Sequence, residues 1–163
     1  MDKERIKEYI RNIEQIEEDS IQLFKLVPLK PAESIKNADL GESLLILRWF
    51  PDENAKKISR DLKRRYESWY FATLKLIQEY LPYQEKDFTK VYEIMISYVT
   101  LNRYATTTEQ ILSKVEQQYD KGFVDIYLNE FSEVIDNQAN LIRSLLYLPE
   151  QTLIPAYRCF LTG

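Results

Sequence analysis

Histidine is absent from all 163 residues. That removes the commonest general base near neutral pH and the commonest zinc ligand. The single cysteine, Cys159, cannot close an intramolecular disulfide, which fits a reducing compartment. Only three glycines and six prolines punctuate the chain. All-β folds need more turns than that, so the composition favours helices. The glycines stand alone at 41, 122 and 163, leaving no phosphate-cradling loop and no nucleophile elbow. No uncharged run approaches the about 20 residues that cross a bilayer. The opening MDKERIKEYIRN is charged where a secretory leader would be apolar. We therefore expect a cytoplasmic protein with no membrane contact, no cofactor and no metal, and not an enzyme.

What is present is globular in character: 45% apolar and 29% charged residues, enough to bury a core. A net charge of −4 argues against a globally basic nucleic-acid binder. The chain is organised around residues 52–81. Ile58, Leu62, Tyr66, Trp69, Thr73, Leu76 and Tyr80 recur in steps of three and four, so one helical face points at a partner. Such a helix is about 45 Å long. Asp52 caps it and Pro82 closes it. Its first half is basic and its second half aromatic.

Residues 2–27 carry Ile6, Tyr9, Ile13, Ile16, Ser20, Leu23 and Val27 on one heptad seam. Two readings stay open: a helix packed on its own domain, or a coiled-coil-like dimerisation arm. Pro28 and Pro31 end this helix, and residues 28–39 read as a connector. Residues 40–50, LGESLLILRWF, read as a short helix capped by Asp39, with Glu42 completing a capping box. The run could also be a buried strand, but no second strand-like run is evident to pair with it. Residues 85–103 read as one helix, antiparallel to the central one. Thr106, Thr107 and Thr108 read as polar punctuation with capping boxes to Glu109 or Gln110. A further helix carries Ile111, Leu112, Val115 and Tyr119 and ends at Gly122. Residues 123–148 form one helix, or two with a break near Asp136–Asn137. The apolar end, 152–163, either packs into the bundle or continues into a longer protein.

The expectation is an all-α bundle of about six helices: an amphipathic helix at 1–27, a connector at 28–39 and a bundle at 40–163. Two candidate surfaces emerge. Lys56, Arg60, Lys63 and Arg64 share an arc of the central helix, and Arg103 could join them. This face could be neutralised locally, could meet an acidic protein, or could hold the phosphates of a nucleic acid or nucleotide. The second surface is apolar: Ile6, Tyr9, Ile13, Ile16 and Leu23 on the heptad seam, with Tyr66, Trp69 and Tyr70 on the central helix. Twelve tyrosines and two tryptophans are a rich endowment, and both types favour interfaces. The pairs Glu14/Glu17 and Glu130/Glu133 have a di-metal spacing but lie beside the apolar stripes, and we read them as solvated.

Residues 64–93, RRYESWYFATLKLIQEYLPYQEKDFTKVYE, carry an R-R-Y-x-x-W-Y core and an L-P before the next helix. This stretch resembles a helical hairpin of uncharacterised bacterial and archaeal proteins associated with restriction and anti-phage genes. The resemblance covers under a fifth of the chain. It implies a helical accessory or regulatory module of a prokaryotic defence or mobile-element system. The residues themselves point to a non-enzymatic, self-associating interaction or scaffolding module. A nucleic-acid or nucleotide sensor is the alternative, and an enzyme built from carboxylates, lysines and tyrosines ranks third.

Overall fold

A computed structural model describes residues 2–37, 42–108 and 119–148. Its elements in order are α1 (Lys3–Leu26), β1 (Leu29–Asn37), β2 (Glu42–Trp49), α2 (Glu53–Tyr80), the short α3 (Glu85–Thr89), α4 (Tyr92–Val99), β3 (Ala105–Thr108) and α5 (Tyr119–Arg143). The chain is mostly helical, as expected, but it is not a six-helix bundle. Among the described residues there are four helices of eight residues or more and a small antiparallel sheet in the order β1-β2-β3.

The long helices begin where their caps direct. The Asp2 carboxylate accepts from the Glu4 amide at 3.0 Å, and that of Asp52 from the Ala55 amide at 2.8 Å. Each satisfies an amide that has no intrahelical partner and puts negative charge at the positive end of the helix. The seam of α1 is buried inside this chain at Ile6, Ile13, Ile16, Ser20 and Leu23. It packs on both α2 and α5, so the seam expected for a dimerisation arm belongs to the chain's own core. α1 and α2 run antiparallel: Trp69 Nε1 donates to the Tyr9 carbonyl at 2.8 Å, and Arg65 reaches Asp19 at 2.8 Å.

The sheet corrects two expectations. Most of the segment expected as a helix at 40–50 is the strand β2, and the expected connector supplies its partner β1. The partner is hard to recognise because β1 lies at a sheet edge, with Leu29 buried and Lys30 to Ile35 exposed. An edge strand facing water needs no apolar alternation, and it tolerates proline and lysine. The register shifts between Pro31 and Glu33, an irregularity that accommodates the amide proline lacks. Across the strands Arg48 Nε meets Glu33 at 2.7 Å, and the Arg48 guanidinium lies 5.3 Å from the centre of the Tyr104 ring. The threonines expected to cap a helix extend instead as β3, with Ala105–Thr108 pairing with Leu44–Leu47. β-branched residues suit a pleated strand.

The expected helix at 85–103 is broken between Thr89 and Tyr92 into α3 and α4. It still folds antiparallel along α2: Tyr70 stacks on Phe88 at 5.2 Å, Tyr66 on Tyr92 at 6.2 Å, and Ser59 Oγ donates to the Val99 carbonyl at 2.6 Å. α4 closes with the Leu101 amide on the Tyr98 carbonyl and the Asn102 amide on that of Ser97. This is a Schellman closure with Leu101, φ 59°, in the left-handed position that glycine ordinarily fills. α5 runs unbroken through Gly122, so the expected cap does not exist there, and of the two readings left open near Asp136–Asn137 it takes the single helix. The expected helix over residues 111–118 and the final segment, 152–163, lie outside the described residues.

α1 sits on one side between α2 and α5, and α3 with α4 closes the other. Across the middle, Tyr66 Oη donates to Gln138 Oε1 at 2.7 Å, and Gln138 Nε2 donates to the Phe88 carbonyl at 3.0 Å. The inner faces of α2 and α5 therefore look at each other. Two aromatic clusters fill the core. One surrounds Tyr66, Trp69, Tyr70, Phe88 and Tyr92. The other joins Phe24, Trp49, Tyr98, Tyr127 and Phe131. Burial holds the Tyr66 hydroxyl far above the usual phenol range, so it stays a donor.

Candidate interaction surface

The buried face of α2 is built from Ala55, Ser59, Leu62, Tyr66, Trp69, Tyr70 and Thr73. The opposite face is what the molecule offers to solvent. Between residues 55 and 65 it carries six cations and one acid. Ion pairs divide those cations. Lys56 meets Glu53 at 3.3 Å and Lys63 meets Glu67 at 3.7 Å. Arg65 meets Asp61 on its own helix at 3.7 Å and Asp19 of α1 at 2.8 Å. Lys57, Arg60 and Arg64 pair with no acid among the described residues. Their spacing of three and then four residues lines them up on one stripe. Lys57, Arg60, Lys63 and Arg64 together line an open concavity of about 510 Å³. Further along the same stripe stand Phe71, 51% exposed, and Lys75.

The structure thus redraws the basic face. Of the expected residues, Arg60 and Arg64 have no acid partner among the described residues, whereas Lys56 and Lys63 are engaged by neighbouring acids. Arg103 does not join them. Its guanidinium lies 5.0 Å from the centre of the Tyr98 ring, in the cluster shared with α5. Lys57 was missed. Its position three residues before Arg60, on the face opposite Leu62 and Tyr66, is the signal that could have found it.

The expected apolar interface residues have another place. Ile6, Ile13, Ile16, Leu23, Tyr66, Trp69 and Tyr70 are all buried in this chain's core, and only Tyr9 is partly exposed. Tyr9 borders a groove of about 470 Å³ between α1 and α2, whose rim is Asn12, Gln15, Arg64 and Ser68. The Arg5 guanidinium sits 5.9 Å from the centre of the Tyr9 ring.

Among the described residues no group of carboxylates or thiols could hold a metal ion. Glu14 is drawn to Arg143 of α5 at 3.4 Å. The Glu17 carboxyl is pushed above its ordinary range by burial and by Asp136, against a hydrogen bond from Ser132. No described helix is long and apolar enough to cross a membrane. The sequence matches no family model, and neither a curated protein nor a solved structure is similar to this chain.

Proposed function

We propose that the chain is a non-enzymatic, self-associating interaction module whose recognition surface is the outward face of α2, fitted to an acidic protein surface. One observation carries this reading: among the described residues Lys57, Arg60 and Arg64 have no acid partner and share a single exposed stripe, while the acids around them are taken by Lys56, Lys63 and Arg65. Three like charges spread over about 10 Å of helix repel one another, and a partner with acids at matching spacing relieves that repulsion. A protein partner is preferred to a nucleic acid because the net charge of −4 opposes the dense charge of a phosphate backbone at long range. The role in a prokaryotic defence or mobile-element system belongs to the same proposal and rests on the resemblance of residues 64–93.

The test is fluorescence anisotropy with a labelled poly-glutamate peptide and with single- and double-stranded oligonucleotides, each at low and high salt. The peptide should bind at low salt and be lost in the Arg60→Ala/Arg64→Ala double variant, whose helix survives because alanine is a good helix former. The second reading, a nucleic-acid or nucleotide sensor, is favoured by Phe71, exposed where a base could stack. Oligonucleotide binding with a log–log salt slope of about −3 would select it over the first.

A further inference from the structure

The basic stripe has a counterpart on the other side of the molecule. From residue 125 to residue 140, α5 carries four acids and no base. Asp125, Glu130 and Glu133 are exposed, together with Asn129 and Asn137. Asp136 is held by Arg143 at 3.7 Å, but among the residues whose side chains are described no base pairs with Glu130 or Glu133. The charge of Arg103 is felt, with that of Glu130, at the Tyr98 hydroxyl, yet the guanidinium lies over the Tyr98 ring and forms no ion pair with Glu130. Ile126, 58% exposed, lies at the start of this face, as Phe71 lies toward the end of the basic stripe.

The placement of the two faces is decided by the core. Tyr66 of α2 and Gln138 of α5 hydrogen-bond directly across the middle. On a helix the residues opposite a buried position face outward, so the basic stripe and the acidic face point away from each other. One copy therefore cannot neutralise its own stripe with its own acids. A second copy can.

We infer that this chain assembles head to tail, with the α2 stripe (Lys57, Arg60, Arg64) of one copy against the α5 face (Glu130, Glu133) of the next. This rests on the interaction-module reading and names its partner as a second copy. Arg60 and Arg64 stand four residues apart and Glu130 and Glu133 three, each pair one helical turn apart, so two cations of one face can meet two acids of the other, and Phe71 and Ile126 bring an apolar contact to the same two faces. Two different patches in contact make a heterologous interface, which continues until it closes into a ring or extends as a fibre. Exposed ion pairs are individually weak and screened by salt, so the assembly is concentration-dependent and dissolves as salt rises.

The experiment is sedimentation velocity on the full chain from about 10 µM to about 1 mM, a range chosen for weak association, at about 0.05 M and about 0.5 M salt. At low salt the weight-average mass should rise above the 19.5 kDa monomer with concentration, and the higher salt should weaken association about tenfold or more. Arg60→Glu/Arg64→Glu and Glu130→Lys/Glu133→Lys should each be monomeric alone and as helical as the wild type. Mixed in equal amounts they should associate again, because each reversed face then meets an opposite one. Recovery on mixing also shows that both variants are folded. A wild type that stays monomeric at low salt, or association untouched by either reversal, would overturn the inference. A monomer that still binds poly-glutamate through Arg60 and Arg64 would overturn head-to-tail assembly and leave a binding module for another protein. A monomer that binds neither peptide nor oligonucleotide would remove both readings, and a monomer that binds only oligonucleotides would replace them with the nucleic-acid reading.

Discussion

Gln138 is the polar centre of the core, and replacing it with leucine tests the packing of α2, α3 and α5 together. It is 1% exposed, and its amide makes two buried hydrogen bonds, accepting from Tyr66 Oη and donating to the Phe88 carbonyl. The second bond matters because Phe88 lies where α3 breaks from α4, so its carbonyl depends on a side chain. Gln138→Leu keeps the volume and leaves two orphaned groups, each costing about 1–3 kcal/mol. The net loss should be about 3 kcal/mol, a large part of the about 5–15 kcal/mol that holds a domain folded. Tyr66→Phe leaves only Gln138 Oε1 unsatisfied and should cost about 1–2 kcal/mol. The double variant removes both ends of the Tyr66–Gln138 bond, so the Phe88 carbonyl alone is orphaned. Adding Tyr66→Phe to Gln138→Leu should therefore restore about 1 kcal/mol rather than subtract more. Urea unfolding followed by circular dichroism and tryptophan fluorescence measures this, since Trp49 and Trp69 report on different aromatic clusters. Strict additivity of the two substitutions, or a neutral Gln138→Leu, would refute the reasoning.

Further outcomes follow from single sites. Glu17 has a raised pKa in the fold, so it binds more protons folded than unfolded between its ordinary value of 4.5 and the higher folded value. Its contribution to stability is thus fully present below that ordinary value and is lost as pH rises through the folded one. Glu17→Gln should raise Tm at neutral pH, and the gain should shrink toward pH 4.5; a gain independent of pH would contradict this. Ile13→Asp places a charge in the core and should destabilise by about 4 kcal/mol or more, seen as loss of helicity in thermal melts. A folded Ile13→Asp chain with altered mass would revive the dimerisation arm. Leu101→Gly removes buried surface but relieves the left-handed backbone, so it should cost about 1–2 kcal/mol. Leu81→Gly, equally buried but with φ −136°, should cost about 3 kcal/mol or more. Equal losses at the two positions in urea titrations would argue against strain at Leu101.

Legibility from sequence follows the range of the forces involved. The caps at Asp2 and Asp52 act within one turn, and the cap at Asp52 is legible from the residues around it alone. The apolar seams of α1 and α2 are equally plain, though whether they meet each other or another molecule is not. Gly122 misleads because a glycine inside a helix and one that ends it look alike without the neighbours that stabilise the next turn. The break at residues 90–91 carries no glycine or proline, and Gln138, some fifty positions away, meets the carbonyl left there.

Residue order by itself determined which stretches are long amphipathic helices, because the period of three to four is written in consecutive side chains and needs no partner to be read. It also determined the segregation of charge, basic early in α2 and acidic along α5. Only the tertiary structure decided that Leu29–Asn37 is a strand, since an exposed edge needs no apolar pattern and takes its hydrogen bonds from β2. Only the tertiary structure decided which cations stay free. Arg65 is drawn to Asp19 across a helix interface and Arg103 to the Tyr98 ring, while Lys57, Arg60 and Arg64 face outward. A cation's pairing depends on distance in space, and that distance exists only once α1, α2 and α5 have closed around Tyr66 and Gln138.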